Sequence, residues 1–320
     1  MAEQEDIIKG ASLWRDAWKR LLRNKLAVFG LVVLGLMLVA VIFGPPLLRW
    51  FTGVTPDYIP AEGDLIKSFP PSSTHWMGTD EAGRDMLARV LQGGRISLMV
   101  GIISTIVSLI VGVSYGAVAG FLGGRIDNLM MRIVDIIYAI PYILIVIVLL
   151  SVFGGPNTPT WIVFLSEEIG GAGNAGLSQI FLLFFALGLI SWLTMARVVR
   201  GQILSLKNQE FVLAARATGV STFSIIFRHL VPNALGPVIV YATLTVPSVM
   251  LTEAFLSFLG LGVQAPYASW GSLASDGIKN IAIFPWQLIF PGVTMALTLF
   301  SLNFLGDGLR DALDPQTRKF

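Results

Sequence analysis

The residues able to do covalent chemistry are few in this chain, and they do not gather. Histidine occurs only at His75 and His229 and cysteine is absent, which removes thiol nucleophiles, thiolate metal sites and disulfides. There is no GxxxxGK[ST] loop to cradle a nucleotide, no HExxH pair to hold zinc and no GxSxG elbow to present a serine nucleophile. Two carboxylates sit in apolar surroundings, Asp135 and Glu253. An ionisable group inside a membrane span is by default a functional candidate, as a proton relay or counter-ion. Asp135 lies near a span end beside Arg132, which favours a structural role, snorkelled or paired with Arg132; Glu253 is deeper. So few buried charges, with no repeated halves, fall short of what a proton- or sodium-coupled carrier ordinarily uses. An intramembrane enzyme would lack both nucleophile and metal motifs. The pattern is a path whose energy source lies elsewhere.

The elements that must build that path follow from composition. Of 320 residues, 54% are hydrophobic and 13% charged, with mean hydropathy +0.74; soluble domains carry about 25% charged residues. The expected fold class is an all-α integral membrane protein with both termini cytoplasmic. A net charge of +2 gives no electrostatic case for nucleic acid. The polar N-terminus and a first apolar run long enough to span argue against a cleaved signal peptide.

Six spans are expected. Residues 1–25 read as a cytoplasmic amphipathic segment, with Leu13, Trp14, Ala17, Trp18, Leu21 and Leu22 on one face and Arg15, Lys19, Arg20 and Arg23 on the other, suited to a membrane interface. Residues 26–48 form the first span. Residues 49–95 are an outer loop, with a surface helix expected over Thr79–Gln92, capped by Thr79 or Asp80. Residues 96–306 are the membrane core, with spans near 96–124, 133–153, 179–195, 234–258 and 284–305, an outer and partly re-entrant loop over 154–178, and a cytoplasmic loop over 197–233. Residues 307–320 form a cytoplasmic tail. Gly112, Gly116, Gly120 and Gly124 recur every fourth residue and predict close helix packing within the chain; Pro141 predicts a kink. Sixteen of the 22 lysines and arginines fall in the segments assigned to the cytoplasm, as the positive-inside rule requires.

Within the cytoplasmic loop, Glu210 to Asn233 is the one long polar interruption in the second half. A helix with the small residues Ala214, Ala215 and Ala217 should end at Gly219, since glycine favours the left-handed position past a helix end. Ser221 or Thr222 can cap a second, short helix running to about His229 and closed by Pro232. On it Phe223, Ile226, Phe227 and Leu230 fall on one apolar face, with Ser224 and Arg228 elsewhere. Such a face needs a core, a lipid interface or a groove on a partner.

Ala214, Ala215, Gly219 and Pro232 stand at the spacing of the "EAA loop" of ATP-binding-cassette importer permeases, although Leu213 occupies the family's glutamate position, with Glu210 one helical turn away. The stretches MGTDEAGRDMLARVLQGGRISL, GGRIDNLMMRIVD, MARVVRGQILSL, EAFLSFLGLGVQAP and FLGDGLRDALDP also resemble C-type permease subunits of dipeptide and oligopeptide importers. The resemblance covers most of residues 10–318, and its wording is closest to oligopeptide permeases. It implies the six-helix type I importer (MetI-like) fold in a bacterial cytoplasmic membrane. It implies a homologous second permease subunit, two ATPase subunits that bind the ATP and magnesium, and an extracytoplasmic solute-binding protein that delivers peptide. No cofactor is expected on this chain and no enzymatic activity. The helix after Gly219 becomes the coupling helix seated on an ATPase, with Glu210, Ala214, Ala215, Gly219, Ser221, Phe223, Ile226, Phe227, Arg228 and Pro232 as contact candidates; Phe223, Ile226 and Phe227 should supply most of the grip. Glu253 is expected at the partner-subunit interface or on the substrate pathway. Dipeptides and nickel chelates are alternative cargoes.

Overall fold

The computed structural model describes residues 13–59, 68–153, 157–170 and 175–313. Parts of the expected N-terminal segment (1–12), outer loops (60–67, 154–156, 171–174) and tail (314–320) lie outside them, as do the side chains of Leu13 and Trp14.

Among the described residues the chain is helical: α1 (Leu13–Arg23), α2 (Lys25–Thr52), α3 (Met86–Leu122), α4 (Gly124–Ala139), α5 (Tyr142–Phe153), α6 (Thr160–Gly170), α7 (Ala175–Leu206), α8 (Glu210–Ala217), α9 (Thr222–Ser224), a π-helical stretch (Ile225–Leu230), α10 (Val231–Phe258), α11 (Trp270–Lys279) and α12 (Trp286–Leu313). Five helices are long and apolar enough to cross a membrane. A sixth crossing follows if α4 and α5, bent by 84° at the Ile140–Pro141 break, count as one. The expected kink at Pro141 is thus a full interruption. Proline removes the amide and disfavours helix at the preceding residue, and Ile140 is extended.

Caps set the boundaries. Asn24 accepts hydrogen bonds from the Leu26 and Ala27 amides and starts α2. The surface helix expected over Thr79–Gln92 does not form; the helix starts seven residues later and continues into the span. The Asp80 carboxylate instead accepts from the Ala82 and Arg84 amides, folding a local turn that passes through Gly83 at φ +82°. Asp85 caps α3 by accepting from the Ala88 amide at 2.9 Å. Met86 and Val90, which fall within that expected helix, are buried in the packing against α2, α11 and α12.

The packing of α3 on α7 organises the bundle. A Cβ on Gly112 would lie 2.6 Å from the Met195 Cβ, and one on Gly120 2.9 Å from the Arg200 carbonyl oxygen. The glycine stripe therefore lets two backbones meet within the chain. Gly124 is outside the seam and opens α4 with φ +57°. On α1 the seat against α12 is made by Ala17 and Leu21, while Trp18 and Leu22 stay exposed.

Candidate functional site

The segment between α7 and α10 is built by one helix stop and one helix continuation. The amide of Val220 donates to the Ala215 carbonyl at 3.1 Å, and that of Gly219 to the Arg216 carbonyl at 3.0 Å. This is the paired closure of a Schellman motif, which places Gly219 in the left-handed region at φ +77°. Ser221 then caps α9, its hydroxyl accepting from the Ser224 amide. The expected helix end at Pro232 does not occur: residues Thr222–Phe258 run on as one helix. Proline cannot donate to the carbonyl four residues back. The π turn widens the spiral at this point, with the Val231 amide reaching the Ile226 carbonyl, while Asn233 Nδ2 donates to the His229 carbonyl at 2.6 Å.

The apolar face divides in two. Ile226 is 4% exposed and Leu230 fully buried, packed in one cluster with Val199, Ile203, Val212 and Ala215. Phe223 is 72% exposed, with the half-buried Phe227 ring tilted against it at 4.7 Å. Ile226 is thus removed from the contact candidates, because α7 and α8 already cover it. In its place α8 exposes Phe211 and Leu213. Glu210, Ala214, Ser221 and Arg228 are also exposed, Ala215 is buried and Pro232 is exposed.

Glu253 occupies neither of its expected positions. It is 1% exposed, and its Oε1 accepts from Ser257 and Ser269 hydroxyls, each at 2.7 Å. It therefore ties α10 to the cap of α11, where Ser269 and Ser272 form a reciprocal capping box. Asp135 pairs with Arg197 at 2.7 Å rather than with Arg132, and the Arg197 guanidinium also lies 4.4 Å from the Tyr138 ring centroid. Sequence reasoning named no pathway residue that the structure places on an opening. The structure contains a cavity of about 520 Å³ bounded by the α4–α5 break, α7 and α10. The sequence signal for it was Pro141 together with the Ser and Thr residues of α10.

A multi-pass helical membrane protein, with a cavity at a broken helix and an apolar element outside the spans, has the form of a transport permease. Residues 112–319 match the family described as binding-protein-dependent transport system inner membrane component, and residues 12–62 match the N-terminal TM domain of oligopeptide transport permease C. The chain belongs to this permease family. It is 44% identical to the oligopeptide transport system permease protein OppC of Bacillus subtilis, over 97% of this chain and 92% of that one. It is 48% identical to the OppC protein of Salmonella typhimurium, over 97% and 94%, and 44% identical to the dipeptide transport system permease protein DppC of Bacillus subtilis, over 99% and 90%. An inward facing structure of the MetNI methionine ABC transporter overlaps 72% of this chain and 98% of its own, with 20% identity and a TM-score of 0.48.

Proposed function

We propose that this chain forms half of the translocation pathway of an ATP-driven oligopeptide importer in a bacterial cytoplasmic membrane. Its similarity along nearly its whole length to proteins named oligopeptide permeases carries the reading. In this reading the bent α4–α5 pair is one of six crossings and both termini are cytoplasmic, which agrees with the lysine and arginine bias. A second permease subunit completes the pore, two ATPases bind ATP and magnesium, and a solute-binding protein supplies peptide. The chain itself catalyses nothing and binds no cofactor. The exposed Phe223, Phe211 and Leu213 form the apolar contact for an ATPase groove, with Glu210 and Arg228 as polar candidates beside them. Exposed aromatics on a short element of a folded chain suit docking into a partner pocket.

Membrane vesicles test this. Peptide uptake should require ATP and survive an uncoupler; uptake driven by a proton gradient alone would overturn the reading. The match to a dipeptide permease over 99% of this chain favours dipeptides as a second cargo. Titrating the delivery protein with peptides of two to six residues separates the two.

A further inference from the structure

At the end of the bundle away from the α8–α9 segment, a pocket of about 310 Å³ lies past the last turn of α10. It is bounded by the start of α3, the α10–α11 connection and α11. Its volume is at the lower end of the roughly 300–1,000 Å³ range of small-ligand sites. Four charged residues line it, Arg84, Arg89, Lys279 and Asp276. How far their charges are already answered decides what the pocket can hold.

The two arginines share one carboxylate. Asp80 Oδ2 accepts from Arg84 Nε at 2.7 Å and from Arg89 Nη1 at 3.0 Å. Asp80 Oδ1 accepts from the Ala82 and Arg84 amides, each at 2.9 Å. A carboxylate has about four lone-pair sites, so Asp80 is saturated, with one negative charge serving two guanidiniums. Arg89 is 5% exposed, and its Nε is buried without a hydrogen-bond partner. Such a donor carries its desolvation cost uncompensated. The neighbouring carboxylates are committed elsewhere: Asp276 pairs with Lys279 at 3.1 Å, and Glu81 accepts from Asn280 Nδ2. Among the hydroxyls, Ser257 donates to Glu253 and Ser272 to the Ser269 carbonyl. Those of Tyr267 and Ser275 line the pocket and have no partner among the described residues.

We infer that this pocket binds one phosphate-type oxyanion. The donors left over come from three places: the guanidiniums at the start of α3, Tyr267 in the connection, and Ser275 and Lys279 on α11. A carboxylate offers two oxygens in one plane. A phosphate offers three or more around a tetrahedron, pairs with arginine through two parallel hydrogen bonds and meets donors from several sides at once. Its charge answers the surplus guanidinium, and its oxygens tie α11 to the start of α3. Phospholipid headgroups and free phosphate share this chemistry. Basic pockets between membrane helices hold headgroups, and the exposed Phe258 in the lining gives a lipid chain an apolar surface to follow.

The test uses the complete transporter in phospholipid-free detergent micelles. Because this chain has no cysteine, Ser275→Cys gives it a single thiol, whose labelling by a neutral maleimide is read on this chain by mass. Inorganic phosphate at constant ionic strength should slow the labelling, by about tenfold at ten times its half-protecting concentration. Phosphatidylglycerol is the second probe. Protection by the lipid at lower concentration than by phosphate identifies a headgroup; protection by inorganic phosphate alone identifies a free anion. Arg84→Gln should raise the half-protecting concentration about tenfold, as loss of one charge-assisted hydrogen bond does. Lys279→Gln, at an exposed position outside the Asp80 turn, should weaken protection without disturbing that turn. Arg125→Gln, exposed on α4, should leave it unchanged. Three results would each overturn the inference: no protection by either probe, protection unaltered in both pocket variants, or a thiol that fails to react without ligand.

Discussion

The guanidinium of Arg200 on α7 holds the carboxylate of Asp127 on α4 through two parallel hydrogen bonds, Nε to Oδ1 at 2.5 Å and Nη2 to Oδ2 at 2.6 Å. The planar fork of arginine suits this pairing. It fixes the first half of the bent α4–α5 pair to the helix that leads into the α8–α9 segment. Asp127 is buried, whereas Arg200 is partly exposed. Arg200→Met strands the carboxylate and should cost about 1–3 kcal/mol, below the range for a fully buried pair because water still reaches the guanidinium. Thermal unfolding of the purified transporter should show the double variant Asp127→Asn with Arg200→Met losing less than the two single changes combined. Strict additivity would remove the pair as a fastening.

The division of the apolar face makes two phenylalanine and isoleucine changes behave differently. Phe223→Ala should leave folding intact and weaken ATPase retention during purification, by at least about tenfold if it acts as an interface anchor. Ile226→Ala should instead destabilise the chain by about 2–4 kcal/mol, as truncation of a buried aliphatic does. If both variants retained the ATPases and took up peptide normally, the docking role would be lost.

Gly219 borders open space, with no heavy atom within 4 Å of an added Cβ, so only the backbone angle resists substitution. Gly219→Asn, which tolerates the left-handed region, should transport better than Gly219→Val, a β-branched residue for which that region costs about 1–2 kcal/mol or more. Uptake per assembled transporter measures this. Equal activity in the two variants would mean the Schellman geometry is not needed.

Glu253 offers a contrast between support and pathway. Glu253→Gln keeps an acceptor for Ser257 and Ser269 and should leave the peptide preference unchanged. Glu253→Ala removes the acceptor of two buried hydroxyls and should cost about 2–4 kcal/mol in stability. A selective loss of peptides with a free amine in Glu253→Gln would return this residue to the substrate path.

What could be read from the sequence was local. Composition and apolar length located most of the crossings, and Gly219 announced a helix end that its neighbours' amides close in the expected way. The glycine stripe gave its spacing but not its partner, because the Ala196 and Arg200 backbone it meets is far along the chain. The outer helix was misplaced because Thr79, Asp80 and Asp85 can all cap a helix, and only the folded turn shows Asp80 committed to Arg84 and Arg89. Pro232 read as a terminator because a π turn leaves no strong mark in residue type. Glu253 read as facing a partner subunit or a path because one of its two serine partners, Ser269, lies sixteen residues on and becomes its neighbour only when α11 folds back.

The glycine seam between α3 and α7 has a mechanical consequence. Helices whose backbones interlock this closely cannot slip or rotate past one another without driving Met195 or Ile203 out of the groove the glycines leave and against the side chains beside it. They form a single fixed frame. Ser191 and Thr194, which line the cavity on the α7 side, belong to that frame, whereas Thr245 and Ser248 line it from α10. The cavity between them is thus bounded on one side by this interlocked pair and on the other by the helix that carries the exposed Phe223 at its far end.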